Sequence, residues 1–600
     1  MAELNKELEG RLLTYRPLDQ ARREIRLVEL RLELQAASNG KLVPLLRMHQ
    51  AFLGTEDLPI YTALSYTWGT APNSIVLVED EKKPAREVLV SANLADALYH
   101  FVGLLHAKCG GLKRFFNPMY WIDQLCINQN DNDEKSHQVK MMMDIFGQAK
   151  ATDVWLGSRE APLSHEVMKK FTQKVFHIMD AVTNGDMIVS DIRSDDSILS
   201  QRIDRILGEW SDDNYKELFA LTTFCRHPWF GRAWVVQEIA TGSNIQIHWE
   251  SGSSAWSAIQ LLFCMFTWFQ IRLQEAKGSY LLIVQSRLGQ AISMLSVIVA
   301  QDLYQPRTKS LIELIAWMLG SGQMKATKPE DLVYSMMGIS SDGDTCGIEI
   351  DYGKHFTEVF GEVALLLLKT LGARALAWSG QRRRKSDPSG CRLSSWVPDL
   401  RLPAGTLIHR DIGSANPLLV PKLFSAAGSC RFEFTADSKS EILYIRTSYV
   451  DTVVELGKPN NTNFYLLPHT LVAWSEDFES FVNAAAERHP TRYDYTTRQE
   501  MHWRMPIADC YDDGTVWKRA GLEARASYMA TLHPDDPLSA AVISKTSMYR
   551  NSMYLLGQVA FVTETGYIGL GHPETAVGDE VHLVQGSDTP FVLRKTDGSL

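Results

Sequence analysis

The chain has 600 residues, of which 45% are hydrophobic and 22% are charged. At roughly 100 to 200 residues per domain, this length allows about three to five domains, each with enough apolar side chains to bury a core. The 15 Trp, 20 Tyr and 23 Phe exclude an intrinsically disordered chain, because such chains lack large apolar side chains. With 61 basic and 71 acidic residues the net charge is −10, which argues against sequence-independent binding of nucleic acid.

The sequence shows neither a secretory signal nor a membrane span. Its first ten residues mix Glu with Lys and lack the apolar stretch of a signal peptide. Two apolar stretches, 256–271 and 280–300, contain several glutamines and Arg287, so they favour helices buried in protein. The eight cysteines include no Cys-x-x-Cys pair, which predicts reduced thiols and no metal site. We therefore expect a cytoplasmic protein.

The first 250 residues predict an α/β layer. Apolar residues alternate with charged ones from Ile25 to Leu34, as in a half-buried strand. Further along, short apolar runs are separated by segments with a helical period. These runs lie at 63–66, 75–78, 120–122, 154–156 and 245–249. The first helix is expected to begin at Ser91 or Asn93. Strands that alternate with helices of this length predict a largely parallel sheet.

One helix in this layer can be predicted in more detail. Asp131 and Glu134 have the spacing of an acidic capping box, which satisfies free backbone amides at a helix start. The apolar face is then formed by Val139, Met142, Met143 and Phe146. The helix is expected to end near Gly147.

The remaining pattern divides the chain into three regions. The first, 1–250, has a core at 61–250 that is interrupted by a polar, helical insertion at about 162–223. Residues 251–380 are mainly helical in pattern, and residues 391–600 predict an α+β region that is rich in strands. The boundary is expected within 381–390, where Arg382 to Lys385 form a basic loop between domains or a patch for an anionic partner.

Common catalytic motifs are missing. The sequence contains no phosphate-binding Gly-x-x-x-x-Gly-Lys loop, no Gly-x-Gly-x-x-Gly turn, no His-Glu-x-x-His pair and no Gly-x-Ser-x-Gly elbow. Three segments instead combine Trp with polar residues. They are 63–69 (ALSYTWG), 121–131 (WIDQLCINQND) and 226–238 (RHPWFGRAWVVQE).

In this order and spacing, the three segments resemble the HET domain of fungal heterokaryon incompatibility proteins. Segments further along the chain also resemble long members of that family. They lie at 329–339, 351–352, 395–399 and 566–571. One departure is Gln124, where the family more often has a small residue. The resemblance implies an α/β fold with a parallel sheet that is similar to TIR domains and to flavodoxin.

The resemblance also implies a function. Family members act in allorecognition, the recognition of self and non-self during cell fusion, and cause growth arrest or programmed cell death when incompatible partners meet. Some TIR domains cleave the glycosidic bond of NAD, which gives an enzymatic alternative, an NAD glycohydrolase. A regulatory or stress role is a third possibility.

The candidate site follows from these segments and from the α/β pattern. Ligands of open α/β sheets bind beyond the carboxyl ends of strands, where Asp123 is expected. Glu238 and Asp123 are the candidate catalytic carboxylates, because a carboxylate can stabilise an oxocarbenium-like charge. Glu238 and Trp234 are four residues apart on one predicted helix and can face one cleft. Trp68, Trp234, Arg232 and Gln237 are the candidate nucleotide-binding residues, with the Trp rings stacking on a base.

Each candidate also has a structural interpretation. Trp121, Trp155 and Trp229 are expected in the core, as large aromatic residues on strands usually are. Arg232 with Glu238 or Asp123 can form a buried ion pair that maintains the shape of the domain. Cys126 has no histidine near it in sequence and is not expected to be a nucleophile.

Partners and cofactors follow from the same alternatives. The recognition hypothesis needs the product of an incompatible allele or another protein, or self-assembly into a homo-oligomer. No cofactor is required, and NAD is a candidate substrate only under the enzymatic hypothesis. No nucleic-acid partner is expected.

Overall fold

The computed structural model describes sixteen stretches of the chain. They are residues 15–69, 73–80, 83–109, 117–157, 224, 227–250, 252–257, 259, 307–321, 324–379, 393–402, 423–436, 442–459, 468–512, 517–532 and 558–595. The chain forms two compact units. Unit 1 comprises Met1–Ser310 and Met324–Lys354, and unit 2 comprises Leu311–Gln323 and His355–Leu600. The predicted insertion at 162–223, the basic run at 382–385 and most of the two apolar stretches lie outside the described residues.

The strands of unit 1 form one nine-stranded sheet with the order β5-β4-β2-β1-β6-β3-β7-β8-β9. Their bounds are β1 Glu24–Ala36, β2 Leu42–Phe52, β3 Tyr61–Tyr66, β4 Ser74–Asp80, β5 Lys83–Val90, β6 Met119–Trp121, β7 Ala151–Trp155, β8 Gln246–Trp249 and β9 Gly252–Ala255. All of the predicted strands of this region are present. The α/β layer is therefore confirmed in outline.

The sheet is mixed, so the prediction of a largely parallel sheet is only partly correct. Among the described residues, the pairs β2/β4, β6/β3, β3/β7 and β7/β8 are parallel, and the other four pairs are antiparallel. The reason is the short connection between neighbours such as β1 and β2, which allows only an antiparallel hairpin. That hairpin turns at Gly40, whose φ of +76° favours glycine. The likeness to TIR domains stays a prediction.

Unit 1 also contains six α-helices whose bounds lie within its described residues. They are α1 Ala92–Cys109, α2 Asp123–Cys126, α3 Asn132–Lys140, α4 Met142–Gln148, α5 Ala233–Thr241 and, after a passage through unit 2, α7 Asp331–Met337. Ser91 begins α1, since the amide of Leu94 donates to its hydroxyl at 3.3 Å. The single helix expected at 131–147 is two helices, because the chain bends at Met141, with φ −93° and ψ −3°.

The predicted cap at Asp131 is confirmed, but its reciprocal half is wrong. The Asp131 carboxylate accepts from the amides of Asp133 and Glu134 at 3.1 and 3.0 Å. Glu134 does not return the bond as a capping box requires. Its carboxylate instead binds the guanidinium of Arg26 at 2.6 and 2.9 Å. A buried cation is the stronger partner for this carboxylate.

The first half of β1 differs from the expected half-buried strand, because its charged side chains have buried partners. Residues Glu24 to Val28 are all buried, because β1 lies in the middle of the sheet. Of its charged residues, Glu24 and Arg26 are buried, Glu29 and Arg31 are half-buried and Glu33 is exposed. Arg26 is 0% exposed and Glu24 is 3% exposed, and Glu24 pairs with Arg16. In the first half of this strand, the charged residues therefore form ion pairs inside the protein.

The core of unit 1 contains the tryptophans of the conspicuous segments. Trp121, Trp155 and Trp229 are each at most 1% exposed. Trp121 packs edge-on against Phe146 of α4, with ring centroids 5.7 Å apart. The core interpretation of these three residues is therefore confirmed.

Unit 2 contains the helical part of the middle region and the strand-rich part at the end. Its helices are α6 Leu311–Ser321, α8 Phe356–Leu371, α9 Pro468–Arg488, α10 Tyr495–Arg504 and α11 Leu522–Leu532. A five-stranded antiparallel sheet has the order β16-β15-β12-β17-β18. Its strands are β12 Thr447–Leu456, β15 Val559–Thr563, β16 Ile568–Gly571, β17 Glu580–Val584 and β18 Phe591–Leu593. The short strands β10 Phe434–Thr435, β11 Tyr444–Ile445, β13 Cys510–Asp512 and β14 Trp517–Arg519 form two hairpins. The described residues confirm helices in the middle of the chain and a strand-rich end, while the predicted bounds of the regions stay a prediction.

Trp474 and Phe478 of α9, Trp503 of α10 and Tyr528 of α11 pack into one apolar cluster of unit 2. None of the helices in the described ranges has both the length and the hydropathy that a membrane span requires.

The Arg26–Glu134 pair yields a test of the fold. Replacing Glu134 with Ala leaves the guanidinium of Arg26 buried without its counter-ion. We expect the free energy of unfolding of unit 1 to fall by about 3 to 5 kcal/mol, as for other broken buried pairs. Urea denaturation, followed by circular dichroism, measures the loss. Asp133→Ala, at an exposed position of the same helical turn, is the control and should cost under about 0.5 kcal/mol. Equal losses in the two variants would contradict the assigned role.

Candidate functional site

The candidate site lies at the edge of the sheet where neighbouring parallel strands end. β3 ends at Tyr66 and is followed by Trp68, while β6 ends at Trp121 and is followed by Asp123. The two strands pair in parallel, so their carboxyl ends lie side by side. This edge is where open α/β sheets bind ligands.

Trp68 and Asp123 are in direct contact at this edge. The indole nitrogen of Trp68 donates to the carboxylate of Asp123 at 2.7 Å, and the amide of Gln124 donates to the other oxygen at 2.7 Å. The phenol of Tyr66 is a further donor to Asp123. Trp68 and Asp123 are both half-buried, so a ligand can reach them from solvent.

Gln124 also joins the end of β3 to the start of α1. Its side-chain oxygen lies 3.4 Å from the Tyr66 hydroxyl and 3.3 Å from the amide of Ser91. The longer side chain at this position therefore has structural partners.

Glu238 lies on the inner side of the same cluster. The hydroxyl of Ser65, on β3, donates to the Glu238 carboxylate. The same hydroxyl accepts from the indole nitrogen of Trp229 at 2.8 Å. Glu238 is 3% exposed, so it is sealed from solvent while Asp123 is not.

Arg232 connects the two carboxyl groups electrostatically. It is the residue immediately before α5, and its Nη1 lies 3.6 Å from the Glu238 carboxylate. That distance is an ion pair without a hydrogen bond. Nη1 is buried and has no hydrogen-bond partner among the described residues.

Both carboxyl groups hold their protons more tightly than in water. Burial raises the pKa of Asp123, and the charge of Arg232 and the hydrogen bonds from Trp68 and Tyr66 oppose that rise. Burial also raises the pKa of Glu238, against the charge of Arg232 and the hydrogen bond from Ser65. The negative charge of Asp123 adds to the rise at Glu238. Two coupled carboxyl groups beside a cation can hold a proton or stabilise a developing positive charge.

Comparison with known proteins identifies this region. The family model described as "Heterokaryon incompatibility protein (HET)" matches residues 61–238. A relative, the "Heterokaryon incompatibility protein 6, OR allele" of Neurospora crassa, is 23% identical over 647 residues, which covers 93% of this chain and 91% of the relative. No solved structure matches. Residues 61–238 therefore match the HET domain and are called the HET domain below.

The HET domain at 61–238 contains the four residues that lie together. Trp68, Asp123, Arg232 and Glu238 were all predicted as site residues, and the structure places them at one edge of the sheet. Their roles in catalysis or binding stay predictions.

Trp234 and Gln237, the other two predicted site residues of the HET domain, do not join this cluster. The indole of Trp234 donates to the carboxylate of Asp331. The amide of Gln237 lies between α4 and α7. With its oxygen and nitrogen assigned to satisfy both neighbours, the oxygen accepts from the amide of Met143 at 2.8 Å and the nitrogen donates to the carbonyl of Ser335 at 3.3 Å. Residues 325–338 pack on this side of α5, so both side chains bind there and not beside Trp68.

Ser65 and Tyr66 are site residues of the HET domain that sequence reasoning missed. Ser65 is 1% exposed on an otherwise apolar strand. A hydroxyl on a buried strand needs a hydrogen-bond partner inside the protein. A serine within this apolar run was therefore the signal from which a buried polar cluster could have been predicted.

Cys126 is not suited to nucleophilic chemistry in the HET domain. Burial raises the pKa of its thiol to about 12, so the thiolate is not populated near neutral pH. Within the described ranges, no group of three or more His, Cys, Asp or Glu side chains is arranged to hold a metal ion.

The raised pKa of Glu238 gives a stability prediction with a defined sign. The folded state takes up the Glu238 proton at a pH above the unfolded value of 4.5, so ionisation of Glu238 disfavours folding at neutral pH. Glu238→Gln removes this charge and keeps the shape. We expect the variant to be at least as stable as the wild type at neutral pH. The wild type should gain stability relative to the variant as the pH falls through the raised pKa towards 4.5.

Urea denaturation at neutral and mildly acidic pH measures the difference for Glu238→Gln. Glu250→Gln, at an exposed position after β8, controls for the loss of a negative charge. A Glu238→Gln protein that is clearly less stable at neutral pH, with a deficit that does not depend on pH, would show that the ion pair with Arg232 outweighs burial.

Proposed function

We propose that this protein acts in fungal heterokaryon incompatibility, and that its HET domain triggers growth arrest or programmed cell death after non-self recognition. The family match and the relative support a function in incompatibility. The single observation that carries this proposal is the identity of 23% to an incompatibility protein over 93% of the chain. The similarity to this relative extends through unit 2, beyond the HET domain at 61–238. The whole architecture therefore supports the proposal, and not the domain alone.

In this proposal the HET domain is the effector and unit 2 receives the signal. The partner is the product of an incompatible allele or another protein, and assembly of several copies is a further route to activation. The site at the end of β3 and β6 is the part of the effector that acts. Asp123 is the accessible carboxyl group of the site, because Glu238 is buried.

A cell-fusion experiment tests the effector role. Strains that carry this gene are fused with strains of a different allele, and growth arrest and loss of viability of the fused cells are scored. We expect Asp123→Asn to abolish the response at unchanged protein level, because the substitution removes the charge and keeps the size of the side chain. Asp344→Asn is the matched control, since the Asp344 side chain is 89% exposed. A full response with Asp123→Asn would contradict the role of the site.

The same assay tests recognition by exchange of segments between alleles. Sequence outside residues 61–250 should determine which fusions are incompatible. Incompatibility that ignores those differences would count against recognition through unit 2.

A second candidate function is cleavage of NAD by the HET domain, with cell death as its consequence. Two coupled carboxyl groups with raised pKa values beside a half-buried tryptophan favour it. In such a reaction the bond between ribose C1′ and the ring nitrogen breaks, and nicotinamide leaves as a neutral molecule. Water adds at C1′ and releases a proton. Asp123 would stabilise the oxocarbenium-like charge, and the ring of Trp68 would stack on the ligand.

Nicotinamide release from NAD by the purified protein tests this second candidate. The assay is carried out over a range of protein concentrations, so that assembly is possible. We expect Asp123→Asn to slow release by about 100-fold, the usual effect of losing one electrostatic contact to a transition state. Glu238→Ala should also be slower, through loss of the ion pair with Arg232. No release by the wild type in any oligomeric state would exclude the enzyme and leave the recognition function.

A further inference from the structure

One conspicuous motif of the sequence lies outside the matched HET domain. Residues 325–352 include the motif at 329–339 and the pair Asp351-Tyr352, and are called the α7 segment below. The chain leaves unit 1 after Ser310, returns at Met324 and leaves again after Lys354. The α7 segment therefore belongs to the same unit as the HET domain, although 86 residues separate the end of the match at 238 from residue 325.

The α7 segment is bonded to the backbone on both sides of Arg232. The amide of Lys325 donates to the carbonyl of Gly231 at 2.7 Å, and the carbonyl of Lys325 accepts from the amide of Ala233 at 3.0 Å. Arg232 and Lys325 thereby form an isolated parallel bridge. These bonds fix the backbone from which the guanidinium extends towards Glu238.

Side chains hold the following turns of α5 to the same segment. Asp331 is 8% exposed and accepts from the indole of Trp234 and, at 2.5 Å, from the hydroxyl of Tyr352. Gln237 bonds to the carbonyl of Ser335. The contact at Gly338 is close, because a Cβ at that position would lie 2.8 Å from the end of the Gln237 side-chain amide.

The other end of the α7 segment is attached to α3. The amide of Tyr352 donates to the hydroxyl of Ser136 at 3.0 Å. The ammonium group of Lys135 lies 4.0 Å from the centre of the Tyr352 ring, and its charge acts on Asp331. The segment therefore connects α3, which follows the second conspicuous HET segment, to α5 in the third.

We propose that the α7 segment positions α5, and that Lys325 and Asp331 are positioning residues that set how close Arg232 lies to Glu238 and Asp123. Lys325 acts through its backbone and Asp331 through the indole of Trp234. Neither residue belongs to the cluster itself. The inference does not depend on the proposed function, because its test reads the state of the carboxyl groups and not an activity.

Simple packing is the alternative to a positioning role. Packing alone makes the domain less stable when a contact is lost, but it leaves the electrostatics of the folded site unchanged. A positioning role predicts a change in the electrostatics of the folded site. The charge of Arg232 lowers the pKa values of both Asp123 and Glu238, so a displaced Arg232 should let both values rise further.

Trp68 offers a reporter for this displacement, because its indole donates to Asp123 at 2.7 Å. The full chain is labelled with fluorotryptophan, and the Trp68 signal in the fluorine NMR spectrum is assigned with a Trp68→Phe variant. The pH dependence of the signal then follows ionisation of the two carboxyl groups. In the described part of the chain, the other polar groups that face them are those of Tyr66, Ser65, Arg232 and the amide of Gln124, and they are unchanged in the variants.

Lys325→Pro is the first test variant, because proline has no amide to donate to Gly231. Lys325→Ala is its matched control, since the Lys325 side chain is exposed and the backbone bonds remain. We expect the midpoint of the Trp68 titration to rise by about one unit in Lys325→Pro, the usual effect of losing a nearby opposite charge. Lys325→Ala should titrate as the wild type does. An unchanged midpoint in a folded Lys325→Pro protein would overturn the proposal.

Trp234→Phe keeps the test decisive if Lys325→Pro does not fold. It removes the indole donor to Asp331 and keeps an aromatic ring, and Asp331→Asn weakens the same contact from the other side. Asp344→Asn, exposed on the same segment, is the control. Both test variants should raise the Trp68 midpoint in the same direction as Lys325→Pro. If both fold and titrate as the wild type does, Asp331 has a packing role only and the proposal fails.

Discussion

The charge of Arg232 beside two carboxyl groups, the buried Glu238 and the half-buried Asp123, is the interaction on which the rest of the site depends. Asp123 and Glu238 repel each other, and burial disfavours the charge of each. A single guanidinium 3.6 Å from Glu238 offsets part of this cost. The HET domain must therefore hold the guanidinium in place with groups that are not themselves charged partners. Backbone bonds to Lys325 do so on one side, and the short 3-10 helix Pro228–Gly231 precedes it on the other.

This constraint explains why three distant segments of sequence are conspicuous together. The segment at 63–69 provides Ser65, Tyr66 and Trp68, which donate to the carboxyl groups. The segment at 121–131 provides Asp123, and the segment at 226–238 provides Arg232 and Glu238. Parallel neighbours in a sheet need long crossover connections, so partners that meet at one edge are far apart in sequence. Tryptophan is frequent in all three because the polar groups need apolar cover as well as indole donors.

Sequence reasoning found the local parts of this arrangement and missed those that depend on distant partners. The strands, the cap at Asp131 and the buried tryptophans follow from neighbouring residues and short-range periodicity. The direction of Trp234 could not be predicted, because it depends on Asp331, far along the chain. The spacing of Trp234 and Glu238 places them one turn apart, but the partner of each side chain decides where it points. The burial of Arg26 on β1 could not be predicted for the same reason, since its partner Glu134 lies far from it in sequence.

The course of the chain gives the α7 segment a further consequence. Both of its ends continue along the chain into unit 2, at Gln323 and at His355. In our proposal, a displacement of either end would act on the residues that hold the backbone of Arg232. The electrostatics of Asp123 and Glu238 would respond, although neither residue is altered. In a protein whose HET domain is the effector, such a route needs no separate switch domain. The event that it requires is a shift in the population of two arrangements of one short segment.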